Sequence, residues 1–269
     1  MLRALAVLLA RAPVTACLVL GGASSALAQP APSVPPASTA TFLTRSDAYL
    51  SWAVLKSGDP RFSWNARLGF DLDLVDYKAG RFNLAAESES VLGSERRIFD
   101  LTFGNYMVEA SSTYRVRKAE IAAVFHHISR HLSDRDNLAT IAWNVLQVRA
   151  TRRFAVGAST LSAQVEAGRV LQHTYVDYVW TSDLRLSLQR PVNERLALFG
   201  GASGGLIGVN RQKLDRDRQY GARVEAGVHI NGSAGAVELF ASYERRIDAY
   251  PLDRHRSRWF AAGFRLMSK

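Results

Sequence analysis

Residues 62–76 read Phe-Ser-Trp-Asn-Ala-Arg-Leu-Gly-Phe-Asp-Leu-Asp-Leu-Val-Asp. Phe62, Trp64, Ala66, Leu68, Phe70, Leu72 and Leu74 fall on one parity. Ser63, Asn65, Arg67, Gly69, Asp71 and Asp73 fall on the other. Successive side chains of a β-strand point to opposite faces, so this segment reads as a strand with one apolar and one charged side. It also exceeds the usual strand of about five or six residues in soluble domains.

The same period of two recurs outward along the chain. Ala222, Val224, Ala226, Val228 and Ile230 alternate with Arg223, Glu225, Gly227 and His229. Val237, Leu239, Ala241 and Tyr243 alternate with Glu238, Phe240, Ser242 and Glu244. Leu184, Leu186 and Leu188 do so with Asp183, Arg185, Ser187 and Gln189, and Phe260, Ala262, Phe264 and Leu266 with Ala261, Gly263 and Arg265. A soluble sandwich would have short strands with turns every 8 to 12 residues. Runs of about 12 to 17 residues suit a tilted crossing of a bilayer, so the expected fold is an all-β, antiparallel transmembrane β-barrel.

The pattern predicts twelve strands: 44–57, 62–76, 81–92, 99–115, 118–131, 138–152, 155–170, 175–190, 195–209, 219–231, 235–247 and 257–268. Every second connection from the first strand is short, at 77–80, 116–117, 154, 191–194 and 231–234. Several others are longer and charged, notably 211–218 and 248–256. Outer-membrane barrels have short periplasmic turns, longer outside loops and an even strand number, so both ends of the barrel chain are expected at the periplasmic side. Segment 44–57 fits least well, because Tyr49-Leu50-Ser51-Trp52 also suits a plug or a short helix.

Residues 1–28 read as a secretory signal: Arg3 and Arg11 supply charge, 12–22 is mostly apolar, and Ala26-Leu27-Ala28 is a small-residue cleavage site. Cys17, the sole cysteine, sits in a sequence that also suits a lipoprotein box. Residues 29–43 read as a disordered proline-rich linker, with four of the eight prolines in 29–40. Without Arg3 and Arg11, 32 basic and 24 acidic residues remain, a net charge of +8. That balance calls for anionic partners, and export favours membrane lipid and lipopolysaccharide over nucleic acid. Biogenesis would require the outer-membrane assembly machinery. The polar faces carry Arg67, Asp71, Asp73, Glu87, Glu89, Glu166, Asp183, Arg185, Arg223, Glu225, Glu238, Glu244 and Arg246. Enclosed in a barrel, such groups must pair, which predicts a mostly filled lumen.

One constellation could carry chemistry. Residues 125–134 read Phe-His-His-Ile-Ser-Arg-His-Leu-Ser-Asp and hold three of the six histidines. His127, Ser129 and His131 share one face of the fifth strand, and His126, Ile128 and Arg130 share the other. In the expected topology they lie near the outer rim. His127 and Ser129 have β carbons roughly 6.5 to 7 Å apart, so the imidazole could take the serine proton, and Asn137, Asn144 or Asp134 could orient it. A metal reading of His127, His131 and Asp134 is poor, because residues i and i+4 of a strand stand ~13 Å apart. No metal or other cofactor is expected.

The His127-Ile128-Ser129 spacing resembles the His-x-Ser element of outer-membrane phospholipase A and of the lipid A deacylases. The resemblance implies a lipid-facing site at the outer rim. Both families usually follow the serine with asparagine, where Arg130 stands here. A longer stretch, roughly 58–136, is similar to an outer-membrane family of unknown function with a motif like Tyr-His-x-Ser-Ser-His-Leu-Gly-Asp-Glu. Phe125 to Asp134 align with that motif, and Asp59-Pro60-Arg61-x-Ser63, Phe99-Asp100-Leu101, Tyr106-x-Val108 and Tyr114-Arg115 are similar too. Arg130, Ser133 and Arg135 depart from it.

Arg211, Lys213, Arg216 and Arg218, with Arg254, Arg256 and Arg258, are expected to form basic outer loops, either able to bind anionic lipid phosphates or simply solvated and offset by Asp215, Asp217 and Asp253. Gly200 to Gly205 is glycine-rich but lacks the lysine of a phosphate loop, which points to a bend or close packing. Three readings follow: a structural or envelope-ligand-binding barrel, an outer-leaflet lipid hydrolase using Ser129 and His127, or a narrow solute channel.

Overall fold

A computed structural model describes residues 39–132, 140–250, 252–254 and 256–268. The expected signal, most of the expected linker, Asp134 and Asn137 lie outside the described residues. Twelve strands run β1 (Thr41–Lys56), β2 (Trp64–Tyr77), β3 (Gly80–Gly93), β4 (Asp100–Val116), β5 (Ala119–His131), β6 (Ile141–Val156), β7 (Ser159–Thr174), β8 (Tyr178–Pro191), β9 (Leu196–Val209), β10 (Gln219–Asn231), β11 (Gly235–Arg246) and β12 (Ser257–Ser268). Each pairs antiparallel with its sequence neighbours, and β1 pairs with β12 from Tyr49↔Met267 to Lys56↔Phe260. The first segment is therefore the closing strand, joined to β12 through its second half.

Most strand ends shift by one to four residues from the sequence reading, and two of these shifts bear on the barrel. β1 begins at Thr41, inside the stretch expected to be linker, because Thr41 and Phe42 find ladder partners at Asp76 and Val75. The β6–β7 turn is at 157–158, not at Phe154, and Arg153, Phe154 and Ala155 stay in register with Ser162, Leu161 and Thr160. Gly157 supplies the left-handed φ of +60° that this two-residue turn requires.

The exterior is the apolar face. Val54, Leu68, Val148, Val165, Leu184, Leu239 and Leu266 are all exposed and point away from the lumen. At the long-loop end, the exterior carries Trp52 and Trp64 packed with Phe99, together with Tyr106, Tyr220 and the Tyr243–Phe260 pair. Phe82, Tyr114 and Phe154 mark the short-turn end. An apolar band between two aromatic girdles is the exterior of a barrel set in a bilayer, and the short turns place that end in the periplasm. No helix among the described residues is long and apolar enough to cross a membrane.

The lumen is crossed by ion pairs. Glu89 accepts from Arg67 and Arg246, Glu225 from Arg223 and Arg265, and Glu238 from Arg265. Toward the periplasm, Arg81 bonds Glu120 through both terminal nitrogens at 2.8 and 2.7 Å, and Arg115 bonds Asp76 at 2.6 Å. At the outer end the β11–β12 connection folds inward and buries Ile247, Asp248 and Ala249. Asp248 accepts from the Tyr178 hydroxyl at 2.7 Å and from Arg216 at 2.8 Å, while its carbonyl accepts from Arg130 at 2.8 Å. The space left among Arg67, Arg223, Phe240 and Trp259 is on the scale of a single water molecule.

Candidate functional site at the outer end of β5

The faces of β5 separate its histidines. His126 points into the lumen, where its Nε2 lies 2.7 Å from Glu109; Arg149 bonds the same carboxylate at 2.6 and 2.7 Å and Glu166 at 2.6 Å. His126 is thus part of the barrel's internal ion-pair network. Arg130 also points inward, its guanidinium donating to Asn105 and to the Asp248 carbonyl. Ile121, Phe125, His127 and His131 are exposed on the exterior, with Ser129 on the same parity.

On that face His127 Nδ1 is 2.7 Å from Asn144 Oδ1, and Asn144 Nδ2 donates to Gln172 Oε1 at 3.3 Å. The three residues are direct cross-strand partners on β5, β6 and β7. An amide oxygen only accepts, so Nδ1 carries the ring proton and Nε2 keeps its lone pair. Of the three orienting residues that the sequence suggests, Asn144 is the one within the described residues, and it is bonded to His127. Ser129 lies one exterior position further out, and its hydroxyl makes no hydrogen bond to His127 in this structure. In unliganded sites such bonds are often long and tighten only when substrate is bound.

Depth is set by the neighbours. Ser129 is the register partner of Tyr106, a member of the outer aromatic girdle. The Tyr106 ring leans over Gly104 and meets the His131 ring edge-on at 5.2 Å. A β carbon at Gly104 would lie 3.2 Å from that ring, so glycine leaves room for the tyrosine to lean toward His131. The site therefore opens to the bilayer at the level where lipid head groups meet acyl chains.

Sequence reasoning missed Gln172. Between Asn144↔Gln172 and Val145↔Val170 the ladder slips by one residue at Leu171. Before the slip, Glu166 and Val170 are buried on the lumen side; after it, exposed Gln172 is on the outside with Asn144. Without the bulge, strict alternation would turn Gln172 inward. The local signal was the adjacent Val170-Leu171 pair, which interrupts the period of two.

Several cations of the basic loops have partners within the barrel. Arg211 pairs with Asp217, Lys213 bonds the Val176 carbonyl, and Arg216 is tied to Asp177 and Asp248. Arg254 donates to the Tyr175 carbonyl. Four of these seven cations thus hold loops together. Arg218 is exposed, and Arg256 reaches Gln219 and the Tyr220 ring. Among the described residues no cluster of three His, Cys, Asp or Glu side chains could hold a metal ion.

Several solved structures are similar to this chain in fold. Outer membrane phospholipase A from Escherichia coli matches with a TM-score of 0.52 at 11% identity, over 82% of this chain and 92% of that one. The Salmonella typhi outer membrane phospholipase, solved as a dimer with bound calcium, matches with 0.51 at 12% identity, over 83% and 90%. The porin KdgM matches with 0.47 at 9%, over 82% and 98%. The chain is an outer-membrane β-barrel. At these identities the likeness concerns fold. No protein-family model and no curated protein sequence matches the chain, so the motif likeness of 58–136 rests on its residues alone.

Proposed function

We propose that this barrel hydrolyses acyl esters of outer-leaflet lipids, with Ser129 as nucleophile, His127 as general base and Asn144 orienting the imidazole. The observation that carries the proposal is the His127 Nδ1 to Asn144 bond, made on the lipid-facing side beside Ser129. It leaves Nε2 free to accept the Ser129 proton. Ser129 Oγ then attacks the ester carbonyl, and the proton passes to the departing alcohol from Nε2 as the acyl-enzyme forms. Water, activated by the same nitrogen, releases the fatty acid and restores the serine. Asn144 holds the ring in the tautomer that both steps need, and Gln172 fixes the amide. The two matched barrels with TM-scores above 0.5 are phospholipases by name, which adds a compatible scaffold and no residue assignment.

A solute path would have to break the pairs around Glu89, Glu225 and Glu238, so the lumen supports a channel poorly. The test is fatty-acid release from phospholipid in mixed micelles by the refolded protein. Release by the parent and its loss in Ser129→Ala supports the proposal. Equal release by both variants, or none by either, overturns it.

A further inference from the structure

A second exterior site lies across β10, β11 and β12. Arg245 and Arg258 are register partners on adjacent strands, both on the outside and one pair beyond Tyr243 and Phe260. The rings of Tyr243 and Phe260 stand 4.9 Å apart. The Arg245 guanidinium carbon lies 3.3 Å from the Tyr220 ring centre, and that of Arg256 lies 5.8 Å from the same ring. Arg256 also donates to Gln219 Oε1 at 3.3 Å. Among the described residues no carboxylate pairs with any of the three.

Like charges directly opposite on a sheet are destabilising. Stacking on Tyr220 offsets part of that, but it engages only the face of the guanidinium and leaves its N–H edge without acceptors. Arg245 is 8% exposed, and its Nε has no hydrogen-bond partner. A buried donor fork, two further cations and no acid make a place for an anion. The height selects which anion: the cluster sits just outside the aromatic girdle, where lipid phosphates of the outer leaflet lie.

We propose that Arg245, Arg256 and Arg258 bind the phosphate monoester of an outer-leaflet lipid against the wall of the barrel. A dianionic phosphate between Arg245 and Arg258 accepts from both forks, removes their repulsion and satisfies the Arg245 Nε. The acyl chains lie along Tyr243, Phe260 and Leu239. This site is independent of the Ser129 centre, which is built on β5 to β7.

The test uses the full barrel in non-ionic detergent, with lipid retention read by native mass spectrometry. Phosphatidic acid, phosphatidylcholine and inorganic phosphate are offered separately. The parent should retain phosphatidic acid at least about tenfold better than phosphatidylcholine, and Arg245→Gln/Arg258→Gln should lose at least about tenfold of that retention. Arg258→Gln alone, which removes an exposed side chain, should lose a smaller share and guards against a misfolded double variant. Unchanged retention in the folded variants would overturn the proposal. So would inorganic phosphate that binds as tightly as phosphatidic acid, since the site would then take a free anion.

Discussion

Replacing Glu89 by alanine should destabilise the barrel more than any exposed substitution. Glu89 is 1% exposed and accepts from Arg67 at 2.6 Å, Asn65 at 2.7 Å, Arg246 at 2.7 Å and Asn105 at 3.2 Å. Arg67 keeps a second acid in Glu87 at 3.2 Å, but Arg246 has no other ion pair among the described residues. A buried guanidinium left alone costs about 3–5 kcal/mol. The rings of Phe103 and Trp259 lie 5.7 and 5.9 Å from the Arg246 guanidinium, which places the expected loss near the lower bound, at about 3 kcal/mol. The more diagnostic variant is Glu89→Leu/Arg246→Met, which removes both members of the pair. It should recover most of the loss, with a coupling of at least about 2 kcal/mol between the two changes. Urea titration of protein refolded into vesicles, followed by tryptophan fluorescence and gel mobility, measures both. A loss under about 1 kcal/mol for Glu89→Ala, or additive losses in the double variant, would refute the reasoning.

Asn144→Leu should lower the rate of fatty-acid release by about a hundredfold with little change in KM, because the ring loses its tautomer and not its substrate contacts. Gln172→Leu removes one hydrogen bond from the same chain and should cost only about five- to tenfold, whereas deleting the bulge residue Leu171 leaves Gln172 opposite Asn144 in a regular ladder and should cost less than Gln172→Leu; steady-state kinetics in micelles compare the three. In planar bilayers the parent should be electrically silent. Asp248→Ala frees Tyr178 and Arg216 from the inward-folded loop, so it should speed trypsin cleavage at Arg254, read by mass spectrometry of the fragments.

The strands were legible because alternation is a direct imprint of a wall with lipid on one side and ion pairs on the other. Residues 62–76 show it most clearly: Arg67 and Asp73, grouped by parity alone, are buried in the lumen. The β6–β7 turn was misplaced because Arg152-Arg153-Phe154 looks like a break in polarity, while the position that permits the turn is the later glycine. The faces of β5 were not legible, since each carries both apolar and polar residues. Only the ladder to β4 decides that His126 meets Glu109 inside while His127 is left outside. The Arg245–Arg258 site depends on register between distant segments, and so does the Asn144–Gln172 contact across a bulge. Loop composition suggested cations for lipid binding but could not show that Arg216 is already committed to Asp177 and Asp248.

The central claim is that Ser129 is an activated nucleophile facing the outer leaflet. Labelling the refolded barrel with a long-chain fluorophosphonate, then locating the adduct by peptide mass spectrometry, tests it directly. The account predicts a stoichiometric adduct on Ser129 that disappears in His127→Ala and is slowed in Asn144→Leu. An unlabelled Ser129, or an adduct that forms equally fast without His127, would contradict it.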